Sequence, residues 1–421
     1  MRIAYISIEF PPRIFGGLGV YVDEISREMV SQGEKISVFT LGDGKLKRYQ
    51  DMNGVEVFRE VPVPIRDGLE IFLSPETLSW GKGLGFLLDL FSLNQLAAAS
   101  IMENGPFHLC VAHDWLGLLG GMAVKREGIP MIYHVHGLEI GRTDTPNPQL
   151  VALEKKGAKV ADLIITVSEA MKQELVGLGV RSEKIRVCYH GVDAAFFNPD
   201  RADPRRLAAL RKRYGYAEDE VIVLFMGRLE PVKGVKELFS AMPQVLAVHA
   251  KVKLLVVGRG SLEAWAAEEV QRLGNSCVTL VTDFLDDEEK MHTYALADLC
   301  VFPSIYEPFG IVALEAAAMG KAAVVGAAGT SGLAEIVKNP GASRPTGVHV
   351  NARDSQDIAW GINLALEDRD RLKSWGKNAR ARVLEEFTWQ KAAERTLAIY
   401  KEVAQESCRL IEENENWILI A

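Results

Sequence analysis

Cysteine is scarce in this sequence and never paired. Its five cysteines, Cys110, Cys188, Cys277, Cys300 and Cys408, form no C-x-x-C pair and no zinc-ligand spacing. That excludes a disulfide framework and a structural zinc site. Cys110 and Cys300 fall in apolar runs that read as strands, so reduced core thiols in a cytoplasmic protein are expected. Positive charge is not in excess: 48 Lys and Arg face 56 Asp and Glu, for a net charge of −8. Nothing in that balance calls for nucleic acid or an anionic membrane as partner. The most apolar stretch, residues 83–101, is interrupted by Asp89 and Asn94. It is too polar to span a bilayer and reads as a core helix, so no membrane contact is expected. Met1-Arg2-Ile3-Ala4-Tyr5-Ile6-Ser7 runs directly into a strand pattern without the tripartite form of a signal peptide.

What is present is a repeated alternation. Short β-branched runs at 3–8, 35–41, 108–111, 131–135, 163–167 and 185–189 alternate with amphipathic helical patterns, among them 20–31, 117–127 and 168–177. Ser168 stands where the last of these wants an N-cap. Strands alternating with helices predict βαβ units and parallel sheets covered on both faces. A polar segment with two prolines, Asn198-Pro199-Asp200-Arg201-Ala202-Asp203-Pro204, reads as a linker. The alternation then restarts, with strand patterns at 221–225, 253–257, 278–281, 299–302 and 322–325. At 421 residues the chain is too long for one ordinary core. The expected architecture is α/β: two doubly wound Rossmann-like domains, 1–198 and 199–388, facing across a cleft. A terminal helix over 389–421 is expected to pack back on the first domain.

Three segments could carry chemistry. In Phe10-Pro11-Pro12-Arg13-Ile14-Phe15-Gly16-Gly17-Leu18-Gly19, glycines between a strand and a helix let backbone N–H groups approach a phosphate. A flexible loop reads the same way, and G-x-G-x-x-G is not matched in order, which argues against a dinucleotide dehydrogenase. Met226-Gly227-Arg228-Leu229-Glu230-Pro231-Val232-Lys233-Gly234 puts two cations after a parallel strand, where α/β sheets bind ligands. They suit a leaving diphosphate, or Arg228 pairs with Glu230 and Lys233 is solvated. In Tyr306-Glu307-Pro308-Phe309-Gly310-Ile311-Val312-Ala313-Leu314-Glu315, two carboxylates flank a helix start. They could accept from sugar hydroxyls, or Glu307 caps the helix and Glu315 forms an internal salt bridge. A buried Glu315 needs a partner either way.

Taken together and in this order, these segments resemble the retaining glycosyltransferases of the two-Rossmann-domain type, the family four group that neighbours glycogen and starch synthases. The resemblance covers nearly the whole chain. It takes in His113-Asp114-Trp115, His134-Val135-His136-Gly137, Ile165-Thr166-Val167-Ser168, His190-Gly191-Val192-Asp193, Val257-Gly258-Arg259-Gly260 and Gly329-Thr330-Ser331-Gly332-Leu333-Ala334-Glu335. It implies that Gly16 and Gly17 offer backbone to the donor phosphates or the acceptor side, and that His136 faces the reacting sugar. Arg228 and Lys233 would clamp the diphosphate, and Glu307 would hold hydroxyls of the transferred sugar. Amides near Gly310 and Ile311 would reach phosphate, Glu315 would bind the ribose, and Asp114 would lie on the acceptor side. One position departs from the pattern: where glucan synthases that use ADP-glucose carry a lysine two residues before the Gly-Gly pair, this chain has Ile14, with Arg13 beside it.

The implied reaction is hexosyl transfer from a nucleotide diphosphate sugar, ADP- or UDP-glucose, to a glucan or another carbohydrate acceptor. A lipid, sugar phosphate or small sugar acceptor is the alternative within the family. A sugar-nucleotide 2-epimerase and a non-catalytic carbohydrate-binding protein are the alternatives outside it. No cofactor or catalytic metal is expected: Asp368-Arg369-Asp370 spells D-x-D but precedes a helical pattern, as helix-start acids do. The sequence leaves the donor base, the acceptor, the linkage and the oligomeric state open.

Overall fold

The computed structural model describes residues 1–62, 82–143, 145–274 and 276–418, with side chains omitted at 82–84 and 408–418. Eight strands form the first sheet: β1 (Arg2–Ile6), β2 (Lys35–Leu41), β3 (Tyr49–Met52), β4 (Val55–Glu60), β5 (Leu109–His113), β6 (Met131–Val135), β7 (Leu163–Thr166) and β8 (Ile185–Val187). Their spatial order is β3-β4-β2-β1-β5-β6-β7-β8, parallel throughout except for the antiparallel β3–β4 pair. Six further strands form the second sheet: β9 (Val221–Met226), β10 (Val252–Val257), β11 (Val278–Val281), β12 (Leu299–Phe302), β13 (Ala323–Gly326) and β14 (Gly347–Val350). Their order is β11-β10-β9-β12-β13-β14, all parallel.

The sequence dictates this architecture through its continuous apolar runs. Every residue of β5, β6, β7, β12 and β13 is buried, which requires cover on both faces of each sheet. The order of each sheet reverses once, between β1 and β5 in the first and between β9 and β12 in the second. Ligands bind at such switch points, beyond the carboxyl ends of the strands. Gly16, Arg228 and Glu307 lie on the loops leaving β1, β9 and β12, and Asp114 begins the helix that directly follows β5.

The final helix, Trp389–Ile418, lies against Gly17–Ser31 of the first half. Tyr400 meets Tyr5 edge-on with ring centroids 6.3 Å apart, and Glu402 pairs with Arg186 at 2.9 Å.

Sequence patterning misses three strands and mistakes the exposure of one helix. β3 and β4 are joined by Asn53-Gly54, with φ of 57° and 86°, the turn signature of a tight hairpin. The short β14 is also missed. The helix Lys82–Glu103 is only partly the core element expected. Leu90, Leu93, Ala97 and Ile101 are buried, but Phe86, Phe91 and Met102 are exposed. Its Gly85–Glu103 segment is long and apolar enough to cross a membrane, at mean hydropathy 1.3, and is 28% buried.

Candidate active site

A cleft of about 1230 Å³ opens between the carboxyl ends of the two sheets. Gly16, Gly17, Asp114 and His136 line it from the first sheet's side, and Arg228, Lys233, Glu307, Gly310 and Ile311 from the second's. Glu315 is the one sequence candidate that does not line it.

The second wall is built on two interlocked loops. After β9 the chain makes a short turn over Pro231–Lys233, and Gly234 then adopts a left-handed conformation (φ 67°) to start the helix Val235–Val248. The amide of Ile305, in the loop after β12, donates to the Val232 carbonyl at 2.8 Å. This tie brings Lys233 Nζ to 2.5 Å from Glu307 Oε2, which also accepts from Ser304 Oγ at 3.3 Å. Arg228 does not pair with Glu230, whose carboxylate is taken by the hydroxyl and amide of Ser261 at 2.5 and 3.0 Å. Among the described residues Arg228 makes no ion pair and stays exposed in the cleft. Gly310, at φ 111°, begins the helix Ile311–Ala318. Helix starts leave their first amides without internal partners, and Ile311 and Val312 both line the cleft. One wall therefore combines two cations, one carboxylate and a helix start, the set needed to hold an anion and a hydroxylated ring.

Glu315 lies behind this wall. It is 5% exposed, accepts from Tyr294 Oη at 2.8 Å and pairs with Lys290 Nζ. The internal salt bridge is what the structure shows for it. The D-x-D segment likewise supplies a cap: Asp368 accepts from the amides of Asp370 and Arg371 at 2.9 and 3.0 Å.

The first wall differs more from expectation. Glu9, missed in the sequence, accepts from the amides of Phe15, Gly16 and Gly19 at 2.9, 3.1 and 3.2 Å. Its carboxylate occupies the anion site that the glycine loop offers, so Gly16 does not present a free amide to a phosphate. Asp114 is buried in a left-handed conformation (φ 52°). One of its oxygens accepts from the His136 amide at 2.7 Å and the other from Arg142, a second missed residue, at 3.0 Å. Burial raises the Asp114 carboxyl's pKa, against the pull of Arg142.

His136 reaches the cleft, but its ring is fully engaged. Nε2 lies 3.0 Å from His113 Nδ1, and Nδ1 lies 3.2 Å from His190 Nε2. A neutral imidazole has one donor and one acceptor, so the three rings form a directional chain. His136 thus lines the cleft as the middle ring of that chain. His113, His134 and His136 hold ring nitrogens within 4.8 Å of one another. His134 and His136 nevertheless lie nearly parallel, 10° apart with centroids at 4.4 Å, so their in-plane lone pairs do not converge on one ion. Burial pushes His113 and His190 down to about 3, and His134 and His136 well below their usual value.

These shifts set the pH dependence of stability. Depressed histidines stabilise the fold above about 6.5, and that contribution is lost as pH falls toward 3. Glu24, Glu154 and Glu174 are pushed by burial to about 7. Their contribution is full below the ordinary value of 4.5 and is lost as pH rises through about 7. The two sets oppose one another between about 4.5 and 6.5, while below 4.5 only the histidines still titrate. The melting temperature is therefore expected to change little from pH 7 to 5 and to fall steeply below about 4.5. A fall equally steep across pH 6.5 to 5 would contradict these assignments.

Three contacts close the two halves over the cleft. Tyr306 Oη accepts from the Leu138 amide at 3.0 Å, and Ser168 Oγ donates to the Pro308 carbonyl at 2.7 Å. Glu335 accepts from the amides of Glu169 and Ala170 at 3.0 and 2.9 Å, capping a helix of the opposite half. Ser168 also caps that helix, accepting from the Met171 amide at 3.1 Å.

Comparison with known proteins agrees with this geometry. Residues 208–382 match the family described as glycosyl transferases group 1, and residues 15–196 match glycosyltransferase family 4. An uncharacterized glycosyltransferase of Methanocaldococcus jannaschii is 30% identical over 95% of this chain and 98% of its own length. A glycogen synthase of Mycobacterium tuberculosis is 30% identical over 95% of this chain and 94% of its own. Sucrose-phosphate synthase from Thermosynechococcus elongatus superposes with a TM-score of 0.76 at 25% identity, over 95% of this chain and 98% of that one. With two doubly wound domains, a cleft at both switch points and these matches over nearly its full length, the chain belongs to the group 1 and family 4 glycosyltransferases of the type B fold.

Proposed function

We propose that this glycosyltransferase moves a hexosyl group, glucose in the first instance, from a nucleotide diphosphate sugar to a glucan, with retention of configuration. The observation that carries the reading is the Lys233–Glu307 pair, set on one wall beside the Ile311 helix start and Arg228, which makes no ion pair among the described residues. The diphosphate lies against Arg228, Lys233 and the Ile311 and Val312 amides, and the sugar hydroxyls lie on Glu307. The anomeric C–O bond to the diphosphate breaks ahead of attack, leaving an oxocarbenium-like sugar. The acceptor oxygen bonds to the anomeric carbon on the face the diphosphate leaves, and its proton passes to the departing phosphate oxygen. Closure of the two halves excludes water that would otherwise hydrolyse the donor. Glu9, filling the first-domain amide site, supports placing the phosphates on the second domain. Asp114 and Arg142 then face the acceptor side. The similarity to a glycogen synthase supports a glucan acceptor.

Nucleotide release from ADP-, UDP- and GDP-sugars, with and without glycogen, tests the reading. Glycogen-dependent release from ADP- or UDP-glucose, persisting in excess EDTA, is the expected result. Release only with a lipid, a sugar phosphate or a small sugar would replace the glucan acceptor, and loss of turnover in EDTA would refute metal independence.

A further inference from the structure

A second cavity, of about 410 Å³, lies at the opposite end of the second sheet. Its floor is formed by the first residues of β9 and β10, Val221 and Val252, together with Ala322 just before β13. β9 is six residues long, which at about 3.3 Å per residue puts roughly 20 Å of sheet between this cavity and the cleft. The cavity is therefore separate from the cleft.

The lining is basic in a chain whose net charge is −8. Lys251, Lys321, Arg369 and Lys373 face Asp219 and Asp298, four basic side chains against two carboxylates. Both carboxylates are already engaged: Asp219 pairs with Lys251, and Asp298 accepts from the Ile222 amide at 2.8 Å. Lys321 uses one donor, on the Ala295 carbonyl at 2.9 Å. Burial depresses its ammonium, against the weaker pull of Cys300 and Asp298. His249 adds a buried Nε2 without a hydrogen-bond partner. Arg369 and Lys373, in the first five residues of the helix Arg369–Glu386, make no ion pair among the described residues.

We propose that this cavity binds a small phosphorylated anion, with Lys321, Arg369 and Lys373 around the phosphate and His249 as a further hydrogen-bonding group. A buried imidazole nitrogen without a partner, excess positive charge and a cavity of this size suit phosphate recognition. The volume exceeds that of inorganic phosphate, leaving room for an esterified sugar. The helix Ile311–Ala318 starts in the cleft and ends beside Gly320 and Lys321, so occupancy here can bias the helix start that faces the donor. The site stands whether or not the cleft uses a nucleotide sugar.

The test is calorimetric titration of the full chain with inorganic phosphate and, separately, with a hexose phosphate. The variants are Lys233→Ala in the cleft, and Lys321→Met and Arg369→Ala/Lys373→Ala in the cavity. The double variant alters only exposed side chains and so keeps the fold. Binding that weakens roughly tenfold or more in both cavity variants but not in Lys233→Ala is expected. Tighter binding of the hexose phosphate than of phosphate would show that the cavity also contacts the sugar. The proposal is overturned if neither anion binds at about 10 mM, or if binding survives the cavity changes and is lost with Lys233→Ala.

Discussion

Lys233→Ala is expected to lower turnover about a hundredfold, the effect of removing one group that stabilises developing transition-state charge, on the order of 3 kcal/mol. The side chain is 17% exposed and its ammonium sits on Glu307, which is 11% exposed. In the resting enzyme the pair neutralises itself, and each partner turns to the donor when the donor arrives. Losing the lysine removes the cation that meets the leaving diphosphate, and it also leaves Glu307 free to repel that diphosphate. The deficit should therefore appear in kcat and in the donor KM, and little in the acceptor KM. Steady-state kinetics with the donor found by the nucleotide panel measures it. Near-normal turnover in a folded variant would remove Lys233 from the chemistry.

Gly234→Ala is expected to be severely destabilising. At φ 67°, a methyl on Gly234 would lie 1.8 Å from the Pro303 carbonyl oxygen, which is backbone and cannot rotate away. A non-glycine residue held left-handed costs about 1–2 kcal/mol before any clash, and separating the two loops adds to that. A loss of about 4 kcal/mol or more is expected, near the upper end for single substitutions. Because the same loops set the Lys233–Glu307 distance, residual folded protein should also be poorly active. Chemical denaturation gives the stability, and a change below about 1 kcal/mol would show that the loops can separate freely.

Much of the fold is legible in the sequence because the central strands of both sheets are parallel and buried, and such strands are written as apolar runs. β9 and β12 follow directly from such runs. β3 is not legible that way, since three of its four residues are exposed and only the Asn53-Gly54 turn marks it. The second wall was readable because each of its loops carries its chemistry within a few consecutive residues. The first wall was not. Glu9 folds back on its own loop, Arg142 meets Asp114 only after α-helical and strand segments intervene, and the imidazole chain depends on register, with His113 opposite His134 on neighbouring strands. Glu315 shows the converse limit: a carboxylate on a helix can be foreseen as buried and paired, but whether it faces ligand or Lys290 is decided by tertiary packing.

The placement of the diphosphate is the centre of the mechanism, and calorimetric titration with a nucleoside diphosphate tests it most directly. The comparison is between wild type, Lys233→Ala with Arg228→Ala, and Glu9→Gln. Binding at least tenfold weaker in the double variant, or about 1.4 kcal/mol, with Glu9→Gln within about twofold of wild type, is the expected result. Unchanged affinity without Arg228 and Lys233 would contradict it, and would return the phosphates to the glycine loop of the first domain.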